Sequence, residues 1–297
     1  MGLSRGVDEF GTIARIDAFC DAVPRRRARA EELGPLVLFV PDGAGWPYYA
    51  RPRLGRDRTG SPAISADDIR AVRARQRELL IPESFEWIDE AAPQMTAAAP
   101  AAGLAVRAHP LMVLGTLTPP AVTHPAQSGP AQSGLAQSGL ALSVRIVSPD
   151  EPDLDRVWAV PAVAFEHPGT ATGLAGAIER DKIASGHDEG VVTMLRERLR
   201  SGQSVLAAAF DQDGPLGAGS CQSLASVAEI TGVGVLPSAR RMGLGGAVTA
   251  ALAADAQRRG VQTVFLAASD DDVARVYRRL GFRRIGTAMI AEPDGVP

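Results

Sequence analysis

The stretch from Glu229 to Gly246 restricts the fold of this chain more than any other. Ile230 to Leu236 is apolar, β-branched and punctuated by glycine, which predicts a strand; Pro237 ends it, and an amphipathic helix is expected from about Leu244. The connection, Arg240-Arg241-Met242-Gly243-Leu244-Gly245, carries two glycines one residue apart. Such a loop lets successive backbone N–H groups converge, and the helix N-terminus behind it adds roughly half a positive charge. An anionic group, a pyrophosphate above all, is what that geometry accepts. A dinucleotide-binding turn is the competing reading. It wants Gly-x-Gly-x-x-Gly after the first strand of a parallel βαβ unit, with an acid about twenty residues on. Here the loop comes late, follows an expected hairpin and has another spacing, which excludes it.

Residues 118–141 divide the chain. Three copies of Ala-Gln-Ser-Gly, starting at Ala126, Ala131 and Ala136, follow Pro119-Pro120. Repetition of that composition cannot bury a core and predicts a flexible linker between a domain of residues 1–117 and one of residues 142–297. With 31 basic and 34 acidic residues the net charge is −3, which gives no electrostatic case for nucleic acid or an anionic membrane. The longest apolar run near the start, Leu36 to Val40, is far short of a membrane span, and Met1 to Phe10 has no apolar core of a secretory signal. Cys20 and Cys221 fall in different expected domains, which suits a reducing cytoplasm rather than a disulfide framework. The histidines, at 109, 124, 167 and 187, show no metal spacing, so no metal is expected.

Within 142–297 the pattern predicts a strand over 142–147 and a helix over 153–165 that Pro161 should kink or end. A polar stretch leads to a helix over 190–200. Strands 204–210 and 216–223 flank the hairpin signature Asp211-Gln-Asp-Gly214. After the strand from Glu229, a helix to about Arg259 aligns Leu244, Val248, Leu252 and Ala256 on one face. A strand over 263–268, a helix over 272–280 stopped by Gly281, and a strand over 282–290 complete a mixed, largely antiparallel α/β sheet with helices on both faces. The smaller first α/β domain is expected to hold a helix over 10–22 and strands over 36–40 and 46–50 about the turn Asp42-Gly43. A helix capped by Ser65, a strand over 85–88, a helix over 91–102 and an extended run over 104–117 follow. The basic run Arg25 to Arg29, beside Glu31 and Glu32, reads as a solvated helix face rather than a nucleic-acid patch.

This element order, Arg240-x-x-Gly243-x-Gly245 joining a strand to a helix, Val235-Leu236-Pro237 before it and Tyr277-Arg-Arg-Leu-Gly-Phe282 after it resemble the GCN5-related N-acetyltransferase (GNAT) family over most of 142–290. The resemblance implies a GNAT-type sheet, acetyl-CoA as acyl donor, and direct transfer to a primary amine in a ternary complex. The CoA pyrophosphate would lie on the amides of Arg241, Met242, Gly243, Leu244, Gly245 and Gly246, with a charged contact from Arg240 or Arg241. The pantetheine amides would pair with the free edge of Val233, Gly234 and Val235, where an oxyanion donor also lies. Tyr277 matches the tyrosine that protonates or hydrogen-bonds the CoA sulfur, a core tyrosine on an amphipathic helix being the plainer reading, while Asp271 stands where family members often carry asparagine.

Glu229 is the general-base candidate, since partial burial in a strand opening would raise its pKa toward neutrality; an exposed strand-end acid is the plainer reading. Cys221, with no base near it in sequence, reads as a small buried strand residue rather than a nucleophile. The acceptor, a small-molecule or peptide amine, stays open, as does oligomeric state, a homodimer included. A non-catalytic acyl-CoA-binding module is the alternative function.

Residues 66–117 run helix, strand, helix, Gly-Leu, strand, and residues 244–290 run helix, strand, helix, Gly-Phe, strand. This resembles tandem acetyltransferases with one copy worn down. Before the earlier helix stands Gly60-Ser-Pro-Ala-Ile-Ser65, with no Arg-x-x-Gly-x-Gly, and no tyrosine answers Tyr277. An accessory domain that does not bind CoA in the same way is expected; an unrelated small α/β domain is the other reading.

Overall fold

A computed structural model describes residues 3–41, 48–55, 63–118 and 142–295, with side chains from residue 9. The Ala-Gln-Ser-Gly repeats, the expected turn at Asp42-Gly43 and Trp46 lie outside the described residues. In chain order come α1 (Leu3–Ala22), β1 (Ala28–Leu33), β2 (Leu36–Pro41), β3 (Ala50–Pro52), α2 (Ala66–Glu78), β4 (Phe85–Ile88), α3 (Gln94–Ala101) and β5 (Ala105–Leu114). Then follow β6 (Ser143–Ile146), α4 (Leu154–Glu166), α5 (Ala177–Ser185), α6 (Glu189–Arg200), β7 (Ser204–Asp211), β8 (Gly214–Leu224), β9 (Val227–Val235), α7 (Leu244–Arg258), β10 (Thr263–Ala267), α8 (Asp271–Arg279) and β11 (Phe282–Glu292). The chain divides into two compact units: Met1–Val113 with Ala267–Asp270 and Arg284–Pro297, and Leu114–Leu266 with Asp271–Arg283.

In the first unit β1, β2 and β3 form an antiparallel meander, and β3 runs parallel to β4. The end of the chain completes it: β11 pairs antiparallel with β4, from Ala288 opposite Ile88 to Ala291 opposite Phe85, and lies between β4 and β5. Met289 and Ala291 therefore join Leu36, Leu38, Phe85 and Met95 in one core. Alternation along β2 sends Val37 and Phe39 to the other face, where Tyr49 packs and its hydroxyl donates to the Cys20 carbonyl of α1 at 3.1 Å. Both faces are covered, which is why β2 is apolar throughout. The basic run is not a helix face. Pro24 closes α1 into a short 3-10 turn, Arg25 bonds Asp21 at 2.7 Å and covers the Phe39 ring, and Arg29 lies in β1.

Helix α2 ends in a Schellman motif: Leu80 N–H donates to Arg77 O and Ile81 N–H to Gln76 O, both at 3.1 Å. The left-handed residue this requires is Leu80, with φ 55° and 93% of its surface exposed. A β-carbon in that conformation costs about 1–2 kcal/mol, and no burial offsets it. Leu80→Gly should accordingly stabilise the protein by about 1 kcal/mol, a rise of a few degrees in Tm. A lower Tm would mean that Leu80 makes a contact its exposure does not suggest.

The second unit carries a sheet in the order β10-β9-β8-β7-β6, antiparallel from β6 to β9, with β10 parallel to β9. Helices cover both faces. A β-carbon on Gly234 of β9 would stand 2.7 Å from Ala164 of α4, whereas one on Gly219 of β8 would meet Val248 and Leu252 of α7. Two expectations change here. Helix α4 continues through Pro161 to Glu166 instead of ending, and Pro161 seats with Ala164 against Gly234. The polar stretch contains α5, which has no apolar stripe to betray it. It is anchored by Arg180, fully buried, which donates to Pro215 O at 2.8 Å and Asp213 O at 3.0 Å. Asp181 bridges Arg180 to Arg156, and those two guanidinium groups hold its carboxyl well below the usual range.

Candidate active site

The loop between β9 and α7 alternates in backbone sign. Arg240 has φ −68°, Arg241 +69° and Gly243 +80°, with Met242 between the two positive residues outside the left-handed region. Alternation of this kind turns successive N–H groups toward one concavity, an anion nest. Gly243 is the N-cap of α7, and no side chain caps it. No acidic residue stands in the first turn of α7 either. The amides of Leu244, Gly245 and Gly246 thus begin a 15-residue helix whose positive end is met by no capping side chain and no acid of its first turn.

Arg240 has a different task from the loop around it. Its guanidinium donates to Ala164 O at 3.1 Å, His167 O at 2.5 Å, Ala171 O at 3.0 Å and Val235 O at 3.3 Å. It satisfies the carbonyls at the end of α4 and ties residues 164–171 to the cradle, and burial lowers its pKa. Arg241 is exposed, and its guanidinium makes none of these contacts. The polar segment is fixed further by Gly173 N–H to Pro237 O at 3.1 Å and Ser238 N–H to Ala175 O at 3.0 Å.

Strand β9 is bulged. Ser220 of β8 faces Thr231 while Ala218 faces Gly234, so β9 holds one extra residue there, and Gly232 takes the left-handed conformation at φ 63°. A bulge leaves its extra residue outside the ladder, which here lies beside the Val233-Gly234-Val235 edge. On its other side β9 is registered with β10 only through Val227, Ala228 and Glu229. The two parallel strands part after Glu229.

Glu229 therefore stands at the point of parting. Register puts it on the same face as Thr231 and Gly234, the face covered by α4. The residue keeps partial exposure, yet the atoms packed around its carboxyl push it up to about 7.

Tyr277 lies on the opposite side, with α7. Its ring sits 6.0 Å from that of Phe282, and the Thr249 hydroxyl of α7, one turn along from Gly245, acts to lower the pKa of its phenol. Burial pushes the phenol up to about 12, which keeps it a proton donor at neutral pH. The parting of β9 and β10 thus has a carboxyl of near-neutral pKa on the α4 face, and the buried phenol of Tyr277 on α8 stays protonated. Sequence reasoning did not find Thr249 or the bulge at Gly232. The one available signal for the former was a hydroxyl next to the apolar stripe, four residues past Gly245.

The first unit repeats the strand–helix–strand pattern without these features. Ser65 and Asp68 form a capping box on α2, closing its N-terminal donors, and Asp67 and Asp68 put two negative charges in its first turn. Strand β3 is registered with β4 through one pair, Ala50 with Phe85, and the next residue is Arg51, buried and ion-paired with Asp17 of α1. Elsewhere, burial pushes the Cys221 thiol up to about 12, which suits a core residue and not a nucleophile. The His167 ring contacts Val163 O of its own helix at 3.0 Å. Among the described residues no cluster of His, Cys, Asp or Glu could hold a metal ion, and no helix is long and apolar enough to cross a membrane.

Residues 172–282, which contain the bulged strand, the nest, α7 and Tyr277, match the model of the Acetyltransferase (GNAT) family. Over these residues the chain carries the pattern of the GNAT family. The fold is similar to that of a GCN5-related N-acetyltransferase from Kribbella flavida, with a TM-score of 0.60, 20% identity and 96% of each chain covered. It is also similar to a functionally unknown conserved protein from Staphylococcus epidermidis ATCC 12228, with a TM-score of 0.50, 12% identity, and 91% of this chain and 95% of that one covered. A search of curated proteins gives no match.

Proposed function

We propose that the chain is an acyltransferase that moves the acetyl group of acetyl-CoA onto a primary amine by direct attack in a ternary complex. The observation that carries this reading is the uncapped N-terminus of α7 behind the Arg241–Gly243 nest, set beside a strand edge that parts from its neighbour. The amides from Arg241 to Gly246 bind the pyrophosphate, and Val233 to Val235 offer backbone groups to the pantetheine and to the developing oxyanion. Glu229 takes the proton of the attacking amine. Tyr277 gives one to the departing thiolate. The first unit, with α2 capped and Arg51 beside the last registered pair of β3, serves as an accessory rather than a second acyl-CoA site.

The test is acetyl-CoA binding by calorimetry, together with thiol release across a panel of small-molecule and peptide amines. Gly243→Glu forces a side chain into a left-handed position and sets a negative charge in the nest, so binding should weaken by roughly ten- to a hundredfold. Unchanged binding would place the cofactor elsewhere. Tight binding with no amine turned over by the wild type would favour a non-catalytic acyl-CoA module.

A further inference from the structure

Strand register sets four polar side chains of β8 and β9 in two facing pairs, Gln222 opposite Glu229 and Ser220 opposite Thr231. The next pair, Ala218 with Gly234, lies beyond the bulge on the same side of the sheet, where a β-carbon on Gly234 would meet Ala164 of α4. Val233 points the other way, toward Gly219 and α7. Along β9 the order on the α4 face is therefore Glu229, Thr231, Gly234. Two residues of strand set Thr231 about 7 Å from Glu229. Thr231 is thus the side chain that stands between the proposed base and the proposed oxyanion edge, and both it and Ser220 are partly exposed. Ser220 Oγ lies 2.9 Å from Thr231 Oγ1 and 3.2 Å from Thr231 O, so the serine fixes the threonine hydroxyl in place. A hydroxyl has one proton and two lone pairs. If Thr231 donates to Ser220, both of its lone pairs are left; if it accepts, one is. Either way Thr231 Oγ1 remains an acceptor beside Glu229.

We infer that Thr231, held by Ser220, accepts the N–H that the substrate nitrogen keeps, and so makes the enzyme selective for primary over secondary amines. The inference rests on the proposed acyl transfer with Glu229 as base. In that step the amine lone pair forms the C–N bond, and the thioester C–S bond breaks. Its electron pair leaves on sulfur, which takes the Tyr277 proton. Glu229 later gives the amine proton to water and Tyr277 takes one back, so protons balance over the cycle. A primary amine that has attacked the carbonyl carries two N–H groups. One proton goes to Glu229; the other stays on nitrogen and ends in the product amide. With Glu229 engaged on the first, Thr231 Oγ1 is the next acceptor along the strand for the second. A secondary amine has a single N–H, which it must give to Glu229. It offers the threonine nothing and sets an alkyl group against it. A site arranged to bond a substrate N–H discriminates against the analogue that lacks it, because its own polar group then goes unpaired.

Valine keeps the shape and β-branching of threonine, and Ser220 can still donate to the carbonyl of residue 231, so Thr231→Val removes the hydroxyl from a strand that should still fold. The probes are acetyl-CoA with the fastest primary amine of the panel and with its N-methyl derivative. Thr231→Val should lower kcat/KM for the primary amine about tenfold, the size of one hydrogen bond, and leave that for the N-methyl amine within twofold. The N-methyl group meets a side chain of the same size in both proteins, so a mere packing role would move both amines alike. Thr231→Ser should restore most of the preference, and Ser220→Ala should lose part of it. The same split should appear without turnover. The N-acetyl product of the primary amine keeps an N–H and should inhibit Thr231→Val about tenfold more weakly than wild type. The N-methylated product has none and should inhibit both proteins equally. Equal changes for the two amines and the two products, or no change in any of them, would overturn the inference while leaving acyl transfer intact. A wild type that releases thiol with no amine would instead remove the proposed function and this inference with it, so the two failures are told apart.

Discussion

Glu229→Gln should reduce kcat/KM by 10²- to 10⁴-fold, a range of the size general-base removal produces, and should raise stability above neutral pH. Both effects come from one cause. Burial at the parting of β9 and β10 pushes the carboxyl up to about 7. As a base it must be ionised, so wild-type kcat/KM should climb about tenfold per pH unit below 7 and level off above it, and Gln should abolish that limb. The linkage runs the other way. The folded chain holds this proton more tightly than the unfolded chain, so the group favours folding at low pH. That contribution is lost as pH rises from the ordinary carboxylate range through about 7. At pH 8 the ionised carboxylate costs roughly 3 kcal/mol, at about 1.4 kcal/mol per unit of displacement, and Gln removes that cost. Chemical denaturation of both proteins at pH 5 and pH 8, with rate profiles over the same range, checks the pair. An acid exposed at the strand end would show neither the limb near 7 nor the pH-dependent gain.

What could be seen in the sequence was whatever repeats at short range. The apolar run of β2, the capping Ser65, the stripe of α7 and the hairpin Asp211–Gly214 each depend on residues a few positions apart, and each falls where expected. The cradle was legible for the same reason, since a nest and a helix N-terminus are made by consecutive residues. What escaped depends on residues far apart. Arg240 looked like a phosphate ligand beside its glycines, but three of the four carbonyls it serves lie 69 to 76 positions earlier. Helix α5 is held by a buried arginine reaching turn residues 33 and 35 positions on, so no apolar period announces it. The placing of β11 within the first unit's core is invisible to any reading that stops at a linker, because its strand pattern is the same whichever unit it joins. Glu229 could be named from its place at the strand start. That the strands part at that residue needed the register.

The largest loss of stability is expected from Gly281→Ala, and a second glycine within the same protein serves as its control. Both Gly281 and Gly103 follow the C-cap of a helix and lie at positive φ, 99° and 80°. An alanine at either pays about 1–2 kcal/mol for the left-handed backbone. They differ in what a β-carbon would meet. At Gly103 it would come 3.3 Å from the end of the Arg73 side chain, which can move. At Gly281 it would come 1.9 Å from the carbonyl oxygen of Thr116, in a segment pinned to this turn by Gly115 N–H to Gly281 O at 3.0 Å and Thr118 N–H to Leu280 O at 2.9 Å. Backbone must shift and at least one of those bonds must lengthen, so the cost should reach about 4 kcal/mol. Thermal unfolding of the full chain should show Gly103→Ala lowering Tm by a few degrees and Gly281→Ala by well over twice as much. Tyr277 sits one turn before Gly281, so the displaced turn should also shift the phenol from its place beside Phe282. kcat in folded Gly281→Ala should then fall toward that of Tyr277→Phe, while Gly103→Ala keeps the wild-type rate. Equal Tm shifts for the two alanines would mean that Thr116 can yield, and that this crossing does not hold the tyrosine in place.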